Sequence, residues 1–279
     1  MGRFSGKTVI VTGSGREKGL GQAILQRFAD EGANCVVSDL GVPQEHMGES
    51  DIGTTAEMEQ IAAELRARAG VGKVVVIPCD VTDDASCEGL IATAKAQCGS
   101  VDVLVNNAGI GYIMKPLLET EDTEWDAVLS VNLGGAFRCS KHAARQMVKD
   151  GISGSIINIA SQAAKSGFPH MAPYTASKHG MVGLTRSNAV ELGPLGIRVN
   201  AVCPNHVTTG LGARQNAYFS ELMGFASVDD YLAAMKNRIP LGRPGFPTDT
   251  AAACAWLASD EAVFVTGEAL NVSGGEEMH

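Results

Sequence analysis

Short runs of β-branched and other apolar residues alternate along the chain with longer amphipathic stretches. β-Branched side chains fit a pleated sheet, whereas apolar residues three and four positions apart favour a helix. The pattern predicts strands at 7–12, 33–38, 73–78, 101–105, 156–159, 197–202 and 269–272. It predicts helices at 22–31, 54–69, 83–97, 123–149, from 174 onward, and at 248–259. Strands and helices that alternate in this way indicate an α/β fold with a doubly wound parallel sheet and helices on both faces.

The alternation is not interrupted by a linker, a repeat or a low-complexity block. Residues 41–53 read as an inserted surface loop, and residues 207–238 form a mixed segment with several aromatic residues. Because α/β folds of this size are commonly one domain, we expect a single domain over residues 1–279, with 207–238 as a lid over the site.

A glycine-rich segment joins the first predicted strand to the first predicted helix. It contains Gly13, Gly15, Gly19 and Gly21. Glycines allow backbone N–H groups to approach a pyrophosphate, which then lies at the positive end of the helix. Asp39 closes the second strand about 20 residues later, where a carboxylate can bind a ribose. Strand, glycine loop and helix in this order predict a Rossmann-like dinucleotide site.

Polar residues follow several of the predicted strands. They are Asp39, Asp80, the segment 106–109, Ser161 and the segment 204–209. In parallel sheets the ligand lies beyond the carboxyl ends of the strands. We therefore expect these residues to meet in one crevice.

The stretch 155–184 combines a strand with the start of a helix. Ser161 follows the strand, and Pro173 suits a first helical turn, where a missing N–H is tolerated. Tyr174 and Lys178 stand four residues apart and share one helix face. A nearby cation stabilises a phenolate, so the pair predicts a tyrosine whose pKa is lowered toward that of a general base. Such a pair on a surface helix is also typical of a solvated face.

Composition and charge exclude several classes of protein. The net charge is −9 with no basic stripe, which argues against nucleic acid and anionic membranes as partners. Seven scattered cysteines without a C-x-x-C pair suit reduced thiols, and predict neither a disulfide framework nor a metal site. The N-terminus lacks a signal peptide and a myristoylation motif, and no apolar run reaches bilayer length. We expect a soluble, cytoplasmic protein.

The ordered set of motifs resembles the short-chain dehydrogenase/reductase family over essentially the whole chain. The markers are the glycine loop, Asp80-Val81, Asn106-Asn107-Ala108-Gly109, Asn132, Ser161, Tyr174-x-x-x-Lys178, Val199–Pro204, Pro240–Pro244 and Thr266–Gly275. Ser161 precedes Tyr174 by thirteen residues, the usual spacing in the family. Each marker alone is weak, whereas the ordered set is specific.

The resemblance implies a role for each matched residue. Tyr174 is the general acid/base, Lys178 lowers its pKa and bonds the nicotinamide ribose, and Ser161 holds the substrate oxygen. Asn132 anchors a water that relays the proton to solvent. The residues implied to bind NAD are Gly13, Ser14, Gly19, Leu20, Gly21, Asp39, Leu40, Asp80, Val81, Asn107, Ala108, Gly109, Tyr174, Lys178, Pro204, Asn205, Val207 and Thr209.

Two departures from the family pattern stand out. Five residues separate Gly13 from Gly19, where the family usually has three, so contacts of 14–18 are open. Asn205 follows Pro204, where the family usually has glycine, and asparagine tolerates a positive φ better than most residues.

The choice of cofactor rests on opposing signals. The Asp39 carboxylate can accept both ribose hydroxyls and repels a 2′-phosphate, which favours NAD. Arg16 and Lys18 in the glycine loop favour NADP, because a basic residue before the second glycine often serves that cofactor. Leu40 offers no donor to a phosphate, so NAD is the expected cofactor.

The expected function is NAD(H)-dependent interconversion of a secondary alcohol and a ketone. The segment 161–163 is similar to that of acetoin/butanediol and sugar-alcohol members, which suggests a small diol, hydroxyketone or polyol. Candidate substrate residues are Gln162, His206, Tyr218 and Phe219, although His206 suits an ordinary loop histidine equally well.

Three alternatives remain. They are an NADPH-dependent reductase of 3-oxoacyl thioesters, a dehydrogenase of hydrophobic cyclic alcohols, and a non-catalytic NAD-binding sensor or scaffold. The sensor is disfavoured because Ser161, Tyr174 and Lys178 are all present. A homotetramer or dimer is expected through the helices that contain Asn132 and Tyr174, where small residues would allow close packing.

Overall fold

Seven parallel strands form a single sheet at the centre of the protein. The computed structural model describes residues 2–42, 52–111, 113–205, 207 and 210–278. The strands are β1 (Thr8–Thr12), β2 (Asn34–Ser38), β3 (Val74–Val76), β4 (Val103–Asn106), β5 (Ser155–Ile159), β6 (Arg198–Pro204) and β7 (Ala269–Val272). The helices in these described residues are α1 (Leu20–Asp30), α2 (Thr55–Arg66), α3 (Asp84–Cys98), α4 (Asp122–Leu129), α5 (Gly135–Asp150), α6 (Ala172–Leu192), α7 (Gly210–Leu222), α8 (Val228–Arg238) and α9 (Pro247–Ala258).

The strand order creates a crevice in the middle of the sheet. The order is β3-β2-β1-β4-β5-β6-β7. Strands β2 and β3 therefore lie on one side of β1, and β4 to β7 lie on the other side. The change of direction falls between β1 and β4, which are paired through Val9 with Val103 and Val11 with Val105. Ligands of open parallel sheets bind outside the carboxyl ends of the strands at such a point.

Successive side chains of the central strands point to opposite faces of the sheet. Val9 and Val11 are fully buried with Phe28 in the core beneath α1, α2 and α9. Ile10 and Leu104 point the opposite way, into the core formed with α3 and α5. Both faces of each strand are therefore buried, as the nearly continuous apolar runs require. This arrangement confirms the expected doubly wound α/β fold.

The predicted helical tract over 123–149 is confirmed, and its middle is a π-helical turn that the sequence did not predict. The structure has α4 and α5 separated by a π-helical turn, Ser130–Gly134, which contains Asn132. A π turn adds a residue to the helical repeat, and such turns are frequent at functional sites. The side chain of Asn132 in this turn is buried.

Two further segments lie near the crevice. The inserted loop is closed at its base, where the Gly41 N–H donates to the Gly53 carbonyl (3.0 Å). The mixed segment after β6 contains α7 and α8, which pack on each other. No helix in the described part of the chain combines the length and apolar character that crossing a bilayer requires.

Candidate active site

The carboxyl end of β5 and the start of α6 bring the predicted catalytic residues together. Ser161 follows β5, Tyr174 lies in the first turn of α6, and both line the crevice, where Ser161 Oγ accepts from the Ala163 N–H (3.1 Å). One helical turn later, Lys178 is buried, and its Nζ donates to the Ile159 carbonyl at 2.7 Å. The same Nζ lies 5.5 Å from the centre of the Tyr174 ring. A hydroxyl, a phenol and an amine thus share one wall of the crevice.

Burial governs the protonation of this pair in the structure. Desolvation raises the pKa of Tyr174, and the nearby Ser161 hydroxyl lowers it to a smaller degree. Desolvation lowers the pKa of Lys178 to about 8. The sequence-based expectation that Lys178 lowers the pKa of Tyr174 is therefore not met in the protein alone. The helical spacing placed the cation correctly but could not show how deeply the phenol is buried.

Asn132 connects the π turn to two neighbouring elements. Its Oδ1 accepts from the Ile110 N–H (2.8 Å), and its Nδ2 donates to the Ile110 carbonyl (3.0 Å) and to Ser177 Oγ (3.0 Å). A Cβ added at Gly109 would lie 3.2 Å from Asn132 Oδ1 and 3.7 Å from Lys178 Nζ. The chain after β4 therefore passes close to both side chains, and it can do so because position 109 is glycine.

The glycine loop packs so closely against its neighbours that a side chain would not fit at two of its positions. Gly13 has φ +64°, and a Cβ there would lie 2.6 Å from Ala108 Cα. A Cβ at Gly21 would lie 2.6 Å from the Gly13 carbonyl oxygen, so this glycine allows α1 to pack against the loop. Asn107 Nδ2 fixes the loop by donating to the carbonyls of Thr12 (2.9 Å) and Gly13 (2.8 Å).

Helix α1 begins at the crevice without a side-chain cap. Gly19 is its N-cap residue and provides no side-chain acceptor for the first N–H groups. These groups have no partner within a helix, and with the helix dipole they favour an anion. Gly13, Gly19 and Leu20 line the crevice at this point. The loop and helix together fit a pyrophosphate.

Ser14 differs from the expectation that it contacts the cofactor. Its Oγ donates to the Val11 carbonyl (2.7 Å) and accepts from the Ser38 N–H (3.0 Å). Its own N–H donates to the Ser38 carbonyl (2.9 Å), and the residue is fully buried. Ser14 therefore ties the glycine loop to β2 and faces away from the crevice.

Asp39 lies at the carboxyl end of β2 and lines the crevice with Leu40. Its Oδ2 accepts from the Gly15 N–H (3.0 Å), and its Oδ1 accepts from the N–H groups of Leu40 (2.9 Å) and Gly53 (3.1 Å). Burial raises the pKa of this carboxyl, while these N–H groups and the charge of Arg16 oppose the rise. Asp39 thus holds the glycine loop and the base of the inserted loop together.

The two extra residues of the glycine loop place Arg16 and Glu17 on the crevice wall. Lys18 has φ +58°, and its N–H donates to Gln22 Oε1 (2.6 Å). Lys18 is not among the residues that line the crevice, whereas Arg16 lies near Asp39. The basic residue available to a cofactor is therefore Arg16.

The remaining residues implied to bind the cofactor extend the crevice wall. Asp80, Val81, Asn107, Ala108, Gly109, Pro204, Asn205 and Val207 all line it. The Asp80 carboxylate accepts from the N–H (2.8 Å) and hydroxyl (2.7 Å) of Thr82, which shapes the turn before α3. His206 and Thr209, which the sequence also suggested, lie outside the described residues.

Comparison with known proteins bears on this arrangement. The family model for enoyl-(acyl carrier protein) reductase matches residues 13–277. The L-2,3-butanediol dehydrogenase of Corynebacterium glutamicum is 36% identical over 269 residues, which cover 96% of this chain and 98% of that enzyme. This chain belongs to the short-chain dehydrogenase/reductase family. It is an oxidoreductase.

Other known proteins also match this chain over nearly its whole length. The 3-oxoacyl-(acyl-carrier-protein) reductase of Staphylococcus aureus is 36% identical, with 98% of each chain covered. The crystal structure of NAD⁺-bound xylitol dehydrogenase has a TM-score of 0.87 and 30% identity, covering 98% of this chain and 99% of that one. That of carveol dehydrogenase from Mycobacterium avium in complex with NAD has a TM-score of 0.90 and 30% identity, covering 99% of each chain.

The substrate end of this short-chain dehydrogenase is mostly apolar. Phe168, Met171, Phe219, Tyr231 and Met235 line it, and the sequence suggested only Phe219 among them. The expectation for Tyr218 is corrected, because it lies outside the crevice lining. Its hydroxyl hydrogen-bonds His170 Nδ1 (2.8 Å), and its ring packs edge-on against Phe219 (5.7 Å between centroids).

Polar side chains interrupt the apolar wall at a few points. Gln162 lines the crevice, as the sequence suggested. Gln215, Arg238 and Glu276 also line it and were not found from the sequence. They come from α7, the end of α8 and the C-terminal tail, which have no sequence signal that directs them to the site.

Proposed function

We propose that this enzyme interconverts a secondary alcohol and a ketone with NAD(H). The observation that carries the proposal is the cluster of Ser161, Tyr174 and Lys178 on one wall of a crevice whose other end is the glycine loop. When bound, NAD would take up or deliver the hydride at this wall. The protein's own task is to orient the substrate and to move the matching proton.

The proposed roles follow from the contacts. Tyr174 exchanges a proton with the substrate oxygen, and Ser161, which lines the same wall, holds that oxygen. Lys178, which lines the same wall, bonds the nicotinamide ribose. Asn132 connects the chain after β4 to Ser177 of α6, beside the same wall, which suits its expected role as a water anchor.

The proposed cofactor is NAD, held by the glycine loop, the start of α1 and Asp39. Three backbone N–H groups fix the Asp39 carboxylate on the crevice wall, where it can accept from ribose hydroxyls. Arg16 nearby is the feature that favours NADP. The carboxylate is part of the folded wall itself, so its charge would oppose a 2′-phosphate.

The proposed substrate carries a hydroxyl beside the reacting one, as in a small diol, hydroxyketone or polyol. Gln162 follows Ser161 directly and lines the crevice, so its amide could bond the neighbouring hydroxyl. The apolar wall formed by Phe168, Met171 and Phe219 supports the second candidate, a hydrophobic cyclic alcohol.

A panel of alcohols with NAD⁺ tests the function. We expect reduction of NAD⁺ with secondary alcohols, and a higher kcat/KM for a vicinal diol than for the mono-alcohol of the same skeleton. Initial rates of NADH formation measure both. If hydrophobic cyclic alcohols exceed every diol and polyol, the polar-substrate proposal fails. If no alcohol or ketone is turned over, the catalytic proposal fails, and NAD binding without turnover would then indicate a sensor.

The affinity for NADH should depend on pH through Lys178. Burial lowers the pKa of this amine to about 8, so it is protonated below that pH and becomes neutral as pH rises through it. Loss of the charged donor should weaken NADH binding by about tenfold, the value of one charge-assisted hydrogen bond. Fluorescence titration between pH 6 and 10 measures the Kd. In Lys178→Arg the charge persists over this range, so its Kd should vary less. A constant Kd in the unsubstituted enzyme would contradict the assigned role.

We further propose that 207–238 is a lid, because Phe219 of α7 and Met235 of α8 line the crevice.

A homo-oligomer is proposed through the outer face of α5 and α6. Phe137 is half exposed there, and a Cβ at Gly183 would meet nothing within 4 Å. Gly180, in contrast, is explained within the chain, because a Cβ there would lie 2.8 Å from Leu133. A cytoplasmic location stays a prediction.

A further inference from the structure

The C-terminal tail folds back over the substrate end of the crevice. After β7, Gly274 and Gly275 have φ +64° and +93°, which reverse the chain. The Gly274 carbonyl accepts from the Leu241 N–H (3.1 Å), just beyond α8. Ser273 Oγ donates to the Glu277 carbonyl (2.9 Å). These contacts give residue 276 a fixed position.

Glu276 presents a carboxylate to the crevice from this tail. Its side chain is only 6% exposed, and it lines the crevice. Its Oε2 accepts from Asn205 Nδ2, and its Oε1 lies 3.7 Å from Arg238 Nε. Burial raises the pKa of Tyr231, which lines the same end, and the negative charge of Glu276 adds to the rise. A carboxylate therefore lies among the apolar side chains of the substrate end.

Asn205 explains how this carboxylate is held. The non-glycine residues with positive φ in the described part of the chain are Lys18 and His170, so Asn205 does not use the backbone freedom considered for it from the sequence. It follows Pro204, at the end of β6 beside Ser161, and its amide reaches Glu276 instead. A glycine at position 205 could not supply this donor.

A second hydroxyl is the substrate group that fits Glu276. A carboxylate accepts from several donors at once, and hydroxyls are neutral donors. Arg238 beside Glu276 disfavours a cationic amine at the same place. The wall beside it contains the apolar Phe168 and Phe219, and Gln162 is another polar side chain that lines the crevice. A second hydroxyl would add a hydrogen bond to the charged carboxylate that a mono-alcohol cannot make, and hydrogen bonds to charged groups are stronger than those between neutral groups.

We propose that Glu276 accepts a hydrogen bond from a second hydroxyl of the substrate and makes the enzyme selective for diols and polyols, with Asn205 as its positioning residue. The proposal rests on the proposed alcohol dehydrogenase function. Substrate selectivity then depends on two residues: Asn205, where the family usually has glycine, and Glu276 of the C-terminal tail.

Glu276→Gln tests the carboxylate, and Glu277→Gln is the matched control. Glu277 accepts from Ser166 Oγ and is not part of the crevice lining. The measured quantity is kcat/KM for a vicinal diol divided by that for the mono-alcohol of the same skeleton. We expect this ratio to fall by about tenfold or more in Glu276→Gln, as for a lost hydrogen bond to a charged group, and to persist in Glu277→Gln. Asn205→Gly should lower the ratio in the same direction.

The outcomes separate this proposal from the function on which it rests. If the unsubstituted enzyme oxidises no alcohol, the function fails. If it oxidises both alcohols but the ratio is the same in Glu276→Gln, or falls equally in Glu277→Gln, the role of the Glu276 carboxylate is overturned. A preference for the matched amino alcohol over the diol would also overturn the hydroxyl assignment. Should Glu276→Gln not fold, Glu276→Asp keeps the charge but shortens the side chain, and the same fall in the ratio is expected.

Discussion

Replacing Tyr174 by phenylalanine is expected to lower kcat for alcohol oxidation by about 10²- to 10⁴-fold, the range typical of a lost general acid or base. Phenylalanine keeps the ring that lies near Lys178 and removes only the hydroxyl, which lies near Ser161. NADH affinity should change little, because the phenol transfers the proton while the amine of Lys178 bonds the ribose. Steady-state rates and fluorescence titration measure the two effects.

Tyr218→Phe is the matched control for that substitution. It removes a tyrosine hydroxyl that hydrogen-bonds His170 outside the crevice lining. Turnover close to that of the unsubstituted enzyme is expected, so a general effect of losing a phenol can be distinguished from the loss of the acid/base. If Tyr174→Phe keeps a near-native kcat, another group moves the proton and the assignment is wrong.

The crevice could be predicted from the sequence because parallel strands end at the same edge of a sheet. Apolar runs locate the strands, and the polar residue after each run is then placed at that edge. Asp39 and Ser161 were identified in this way, and both line the crevice. The i, i+4 spacing likewise brought Tyr174 and Lys178 onto one face. These inferences need only periodicity and topology.

Side-chain direction and burial depend on tertiary contacts and could not be read from the pattern. Ser14 lies in the glycine loop, but its hydroxyl accepts from the Ser38 N–H of β2 and is therefore directed away from the crevice. The π-helical turn at Asn132 has no proline or other sequence signal. It accompanies buried hydrogen bonds from Asn132 to Ile110 and Ser177. The raised pKa of Tyr174 has the same origin, because spacing shows neighbours but not desolvation.

The position of Glu276 in the crevice could not be predicted from the sequence. Its partner Asn205 is 71 residues away in the chain, and no periodic pattern connects them. The departure from the family's glycine at position 205 was visible in the sequence. Its explanation, a donor for a carboxylate on the returning tail, required the fold.

Preference for NAD over NADP should depend on the charge of Asp39. Two unit charges about 4 Å apart interact by about 1–4 kcal/mol, depending on exposure, which corresponds to about 5- to 1,000-fold against a 2′-phosphate. Asp39→Asn removes the charge and keeps one oxygen that can accept. We expect kcat/KM for NAD to fall, mainly through a higher KM, because a ribose contact binds the ground and transition states alike. The ratio of kcat/KM values for NAD and NADP measures the preference.

Two further variants separate the charge of Asp39 from its structural role. Asp39→Ala also removes the acceptor for the N–H groups of Gly15, Leu40 and Gly53, so it should weaken NAD use more than Asp39→Asn does. In Asp39→Asn, Arg16 is left beside the ribose site and should support NADP, so adding Arg16→Gln should reverse that gain. Equal kcat/KM for the two cofactors in the unsubstituted enzyme would contradict the assignment of NAD. The same conclusion would follow if Asp39→Asn left the ratio unchanged, because the carboxylate would then hold the loops together without selecting the cofactor.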